Sequence, residues 1–129
     1  MRLKFRSMAA LGAVAALALP AIAEAKTHTV DLKSHGTNKG TAMSGWYRGA
    51  PFGYCTMKGT LLIPDTKQTL KCKSGTVKIT SHATQITDNT KGTWKITGGT
   101  GKFKGISGGG TFTGKISSGN YHFVGKAKY

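Results

Sequence analysis

Acidic side chains are almost missing: the 129 residues hold four, Glu24, Asp31, Asp65 and Asp88, against 19 lysines and arginines. A hydrolase built on paired carboxylates, or a calcium cage built on several, is hard to assemble from so few. Asp65 and Asp88 fall in turn contexts, where aspartate serves backbone geometry more often than chemistry. His28, His35, His82 and His122 are scattered without metal-ligand spacing, so no metal and no cofactor is expected. Ser34, Ser44, Ser81, Ser107, Ser117 and Ser118 lack a nucleophile-elbow context and give a Ser/His/Asp triad no support. No catalytic residue is assigned.

Long apolar runs are missing too, with one exception at the start. Arg2, Lys4 and Arg6 precede an uncharged Ala- and Leu-rich run from Ser7 to Ala23, which is the layout of a signal peptide. The run is short for a spanning helix, contains Gly12 and Pro20, and ends in small residues. Two cuts fit the small-x-small rule, before Glu24 and before Lys26; the second is preferred because it opens the mature chain on a charge. The expected organisation is a signal peptide at 1–25 and a single domain at 26–129, with a periplasmic or secreted destination. An uncleaved anchor is the alternative. Nothing later in the chain is apolar enough to span a bilayer.

The 104 residues left suit one modest core. Sixteen basic and three acidic residues remain, a net charge of +13, and all the basic ones except Arg48 are lysines. Such an excess attracts anionic surfaces over roughly 8 Å at physiological salt. Cysteine is limited to Cys55 and Cys72, which an oxidising compartment favours as one disulfide rather than as reactive thiols. A loop closed over 17 positions would stabilise the fold by roughly 3 kcal/mol in the chain-entropy picture.

Helical periodicity is the last absence. From Thr27 onward apolar residues recur at every second position. Cys55, Met57, Leu61 and Ile63 share one strand face with Gly59, while Tyr54, Thr56, Lys58 and Thr60 share the other. Leu70 and Cys72 alternate with Lys71 and Lys73, and Pro64-Asp65-Thr66-Lys67 reads as the turn between, a hairpin that brings the cysteines together. The same alternation sets Val77 and Ile79, Trp94 and Ile96, Phe112 and Ile116, then Tyr121, Phe123 and Ala127, against threonines and lysines. With Thr29–Lys33 and Thr41–Tyr47 this makes about eight short strands divided by glycine, asparagine and serine clusters. The expected fold is all-β, a small closed antiparallel barrel: closure removes sheet edges, and in-strand glycines such as Gly59 and Gly114 permit the coiling it needs. The outward lysines first describe a solvated barrel wall and only second a binding patch.

The segment Gly92-Thr93-Trp94-Lys95-Ile96-Thr97-Gly98-Gly99-Thr100-Gly101-Lys102-Phe103-Lys104-Gly105-Ile106-Ser107-Gly108-Gly109-Gly110-Thr111-Phe112 resembles the strand, glycine turn and strand of the barrel shared by plant allene oxide cyclases, dirigent proteins and the secreted bacterial proteins called allene oxide cyclase barrel-like. Gly49-Ala50-Pro51-Phe52-Gly53 is loosely similar to the bacterial members. Physically, glycines at 98, 99, 101 and 108–110 are expected to supply positive φ in tight reversals, with Phe103 and Ile106 packed inward and Lys102 and Lys104 in water. A Walker A loop ending at Gly101-Lys102 fails, because Ile96 and Phe103 stand where it needs glycine and Ser or Thr.

The resemblance implies a barrel able to hold a small apolar molecule, and in part of the family a trimer. It carries over no activity: the plant cyclases use a buried glutamate, of which this mature chain has none, and dirigent proteins use acidic pocket residues, which are scarce here. Three readings follow. The first is a non-enzymatic secreted barrel binding a small hydrophobic ligand or an anionic envelope component, with Trp46, Tyr54 and Trp94 as the aromatics nearest an opening. The second is an isomerase or cyclase of the allene oxide cyclase type, which an internal cavity holding an ordered polar group would favour. The third is lysine-mediated polyanion binding; specific nucleic-acid recognition is not expected from one arginine and no stacking platform.

Overall fold

A computed structural model describes residues 24–129; the expected signal peptide, but for its last two residues, lies outside them. Eight strands follow one another in chain order: β1 (Thr27–Lys39), β2 (Ala42–Ala50), β3 (Gly53–Leu62), β4 (Asp65–Cys72), β5 (Gly75–Gln85), β6 (Asn89–Gly99), β7 (Ser107–Lys115) and β8 (Asn120–Lys128). Each pairs antiparallel with the next, and β8 pairs with β1, so the sheet is a closed barrel with no free edge. Among the described residues the only helical piece is a single 3-10 turn at Gly101–Phe103.

The period-two pattern determines what faces inward. Val30, Leu32, Leu70, Val77, Ile79, Trp94 and Ile96 are buried in the barrel, while the lysines and threonines beside them are turned outward. This is the inverse of a lipid-spanning barrel, whose apolar band faces outward. Among the described residues no helix is long and apolar enough to cross a membrane.

Cys55 and Cys72 lie directly opposite one another on β3 and β4 and form a disulfide, with Cα atoms 4.2 Å apart. That register requires a tighter turn than residues 64–67: the reversal is at Ile63–Pro64, and Asp65 already belongs to β4. The expectation for the Gly98–Gly110 segment is corrected in a similar way. Phe103 and Ile106 are buried and Lys102 and Lys104 exposed as expected, but of the glycines named only Gly101 (φ 62°) and Gly108 (φ 144°) are left-handed. Gly98, Gly99, Gly109 and Gly110 lie in strands instead. A Cβ on Gly110 would run into the carbonyl oxygen of Val124 on the next strand, so glycine there permits close backbone approach rather than a turn.

The barrel has unlike ends. At one end Phe52, Phe103 and Tyr129 pack as an aromatic plug, with ring centroids 5.2 Å apart for Phe52 and Phe103 and 5.1 Å for Phe103 and Tyr129. At the other end the loops β1–β2, β3–β4, β5–β6 and β7–β8 surround an opening.

Candidate functional site

Following the inward face of each strand toward that open end, the apolar alternation is interrupted by uncharged polar residues. Val30 and Leu32 are succeeded by Ser34 on β1, Leu70 is preceded by Gln68 and Thr66 on β4, and Val77 and Ile79 are succeeded by Ser81 on β5. Tyr47 on β2 is inward at the same depth, opposite Ser34. A cavity of about 340 Å³ begins where the large side chains stop, which is at the small end of ligand-binding volumes. Met43, Met57, Leu61, Phe112 and Phe123 supply its apolar surface.

Across it runs a hydrogen-bonded chain. The Tyr47 hydroxyl donates to Gln68 Oε1 at 2.6 Å, Gln68 Nε2 donates to Thr66 Oγ1 at 2.8 Å, and Thr66 Oγ1 and Ser81 Oγ are 2.5 Å apart. Tyr47 and Gln68 are 1% and 5% exposed, so these bonds replace those that water would have made. Burial pushes the Tyr47 phenol well above its ordinary value, outweighing its hydrogen bonds to Gln68 and Ser34. It therefore stays protonated throughout the physiological range. The second Nε2–H of Gln68 and one proton of the Thr66–Ser81 hydroxyl pair have no partner among the described residues. They are donors available to an acceptor on a bound molecule.

The mouth is apolar and fastened. Ile63, Ile86 and Ile116, from three different loops, line it and are 70%, 49% and 52% exposed. Asp88 holds two of those loops together: its Oδ1 accepts from the Ser117 amide at 2.9 Å, its Oδ2 from the Ser117 hydroxyl at 3.2 Å, and its carbonyl from the Ile116 amide at 3.0 Å. Those bonds from Ser117, backbone first, hold the Asp88 carboxyl below the ordinary carboxylate range. A larger but more open groove of about 420 Å³ crosses the outside of β4–β6 beside Lys67, Lys95 and the Asp65–His82 pair. A molecule there would remain in water, so the interior cavity is the better site.

The three aromatics singled out from the sequence are not brought together. Trp94 is buried in the filled part of the barrel, its indole donating to the carbonyls of Thr111 and Val124 at 3.1 and 3.0 Å. Trp46 and Tyr54 lie on the outer wall, where Arg48 sits 5.0 Å from the Trp46 ring centre and faces Tyr54 across the β2–β3 ladder. None of the three lines the cavity. Gln68 and Ser81, which do, carry a signal in strand parity: each is polar two residues from a buried apolar side chain, Leu70 and Ile79, whereas Tyr47, flanked at that spacing by Gly45 and Gly49, carries none. No carboxylate or histidine lines the cavity, and among the described residues no group of three His, Cys, Asp or Glu is placed to hold a metal.

The chain matches no protein-family model, no curated protein and no solved structure. The resemblance of residues 92–112 to the allene oxide cyclase and dirigent barrels rests on those residues alone.

Proposed function

We propose that this protein is an exported binding barrel that holds one small, mostly apolar molecule bearing an uncharged hydrogen-bond acceptor, such as a carbonyl, ether or hydroxyl oxygen. The observation that carries this reading is the polar chain Tyr47–Gln68–Thr66–Ser81 set in a mostly apolar cavity with two donors to spare. A buried donor site discriminates sharply against ligands that leave it unpaired. Methionines at 43 and 57 give the wall an adaptable surface. The loose likeness to barrels that accept apolar guests points the same way.

Native mass spectrometry of the protein recovered from its own compartment tests the reading, together with titration by an apolar fluorescent probe. Ala83 lines the cavity, and Ala83→Trp would fill it; we expect probe affinity to fall at least ~10-fold as the bulk displaces the guest. An unchanged affinity in a folded Ala83→Trp protein would remove the cavity as the site.

The isomerase or cyclase reading is favoured by one observation, the ordered polar group inside the cavity. Its difficulty is chemical. Tyr47 is held protonated by burial and can donate, but the cavity lining contains no base poised near neutrality.

A further inference from the structure

We propose that the plugged end of the barrel is a docking face for a membrane surface rich in anionic phospholipid, leaving the cavity mouth pointing away from the bilayer. Charge is divided unevenly between the two ends. The elements around the mouth carry Lys39, Lys67, Lys91 and Lys115 against Asp65 and Asp88, a small excess. Around the plugged end Lys26, Lys71, Lys73, Lys102, Lys104 and Lys128 are all exposed, and Glu24 is the one acidic side chain beside them.

Their placement follows from the topology. Lys26 exchanges backbone hydrogen bonds with Tyr129, next to the Thr27–Lys128 pair. Lys71 and Lys73 lead into the β4–β5 turn, and Lys102 and Lys104 lie in the β6–β7 connection. Those two loops are bound to one another, with the Lys102 amide donating to the Ser74 carbonyl at 3.0 Å and the Thr100 amide to the Thr76 carbonyl at 3.0 Å. The lysines thus crown one end of a rigid cylinder.

The chemistry of the crown selects the partner. Lysine is a compact, well-hydrated point charge without the fork of arginine, suited to a mobile layer of phosphates more than to one fixed group. Of the plug aromatics Phe52 and Phe103 are buried and Tyr129 is already stacked on His28, ring centroids 4.2 Å apart, so the plug favours phosphates over stacked nucleobases. Several lysines converging on a surface are the pattern by which anionic lipid is recognised. The contact would be peripheral and weakened by salt. It does not depend on what the cavity holds.

Sedimentation of the purified protein with vesicles of phosphatidylcholine, with and without phosphatidylglycerol, tests the proposal. Binding is expected only to the anionic vesicles. The K73E/K102E/K104E variant is expected to lose roughly a hundredfold in partitioning at low ionic strength. The mouth-side variant K39E/K91E/K115E has the same net charge and should retain most binding. K73Q/K102Q/K104Q, which introduces no new negative charge, should fall between. Equal losses from both glutamate triples would reduce the effect to net charge and overturn the docking face. So would failure of the unaltered protein to bind, loss of binding on I63S/I86S/I116S instead, or retention on heparin without vesicle binding.

Discussion

Tyr47 is the side chain whose chemistry the fold alters most, and its hydroxyl has two opposing effects on stability. At neutral pH it satisfies Gln68 Oε1, and Tyr47→Phe leaves that buried acceptor unpaired, a loss of about 1–3 kcal/mol. Above pH 10 its contribution shrinks. The folded-state pKa lies above the ordinary value of 10.0, so between the two the unfolded chain releases its proton first and the native state loses about 1.4 kcal/mol per pH unit. Phenylalanine has no proton to release. The stability gap between the two proteins, measured by urea unfolding, should therefore be full at neutral pH and narrow as pH rises past 10. Tyr121 and Tyr129, also pushed upward by burial, are common to both proteins and drop out of the difference. A gap independent of pH would mean that Tyr47 titrates as it does in water.

Among the elements, the β3–β4 hairpin is the most strongly constrained, because its disulfide joins two residues already paired in register. Cys55→Ala with Cys72→Ala should lower unfolding stability by roughly 3 kcal/mol, and the unaltered protein under reductant should converge on the same value in a denaturant titration. A much smaller difference would indicate that the hairpin persists in the unfolded chain and that the bridge constrains little. This pairing was legible in the sequence because hairpin register and strand parity are local properties: Leu70, Cys72, Val77 and Ile79 reveal their faces without reference to the rest of the molecule. Closure was legible less directly, through glycines and the need to remove edges. The site was not. Whether an inward position is packed or hollow depends on what seven other strands place at the same height, and no single strand records that. Trp46 and Tyr54 fall on outward parity and Trp94 on inward, yet aromatic character alone grouped them. Gln68 and Ser81 carried the better signal, an uncharged polar residue where the alternation calls for an apolar one.

At the scale of the whole molecule the dominant feature is unbalanced charge. The fold disperses lysines by pairing many of them across the ladders with threonine, as in Lys71 with Thr56, Lys67 with Thr60, Lys78 with Thr69 and Lys95 with Thr80. Dispersal is incomplete, since Lys33 faces Arg48. The attractive pairs that salt would weaken, Asp65 with His82 and Asp31 with His122, each 2.6 Å apart, are about half exposed and contribute little. Screening therefore relieves more repulsion than it removes attraction. Raising sodium chloride from about 10 mM to about 150 mM shortens the Debye length from roughly 30 to 8 Å. A gain of about 1 kcal/mol would raise the Tm by roughly 4–8 °C in a domain of this size. The K73E/K102E/K104E protein, with six fewer net positive charges, should show a visibly smaller rise. A Tm that falls with salt in the unaltered protein would show that the exposed pairs outweigh the repulsion, and would count against a crown of mutually repelling lysines at the plugged end.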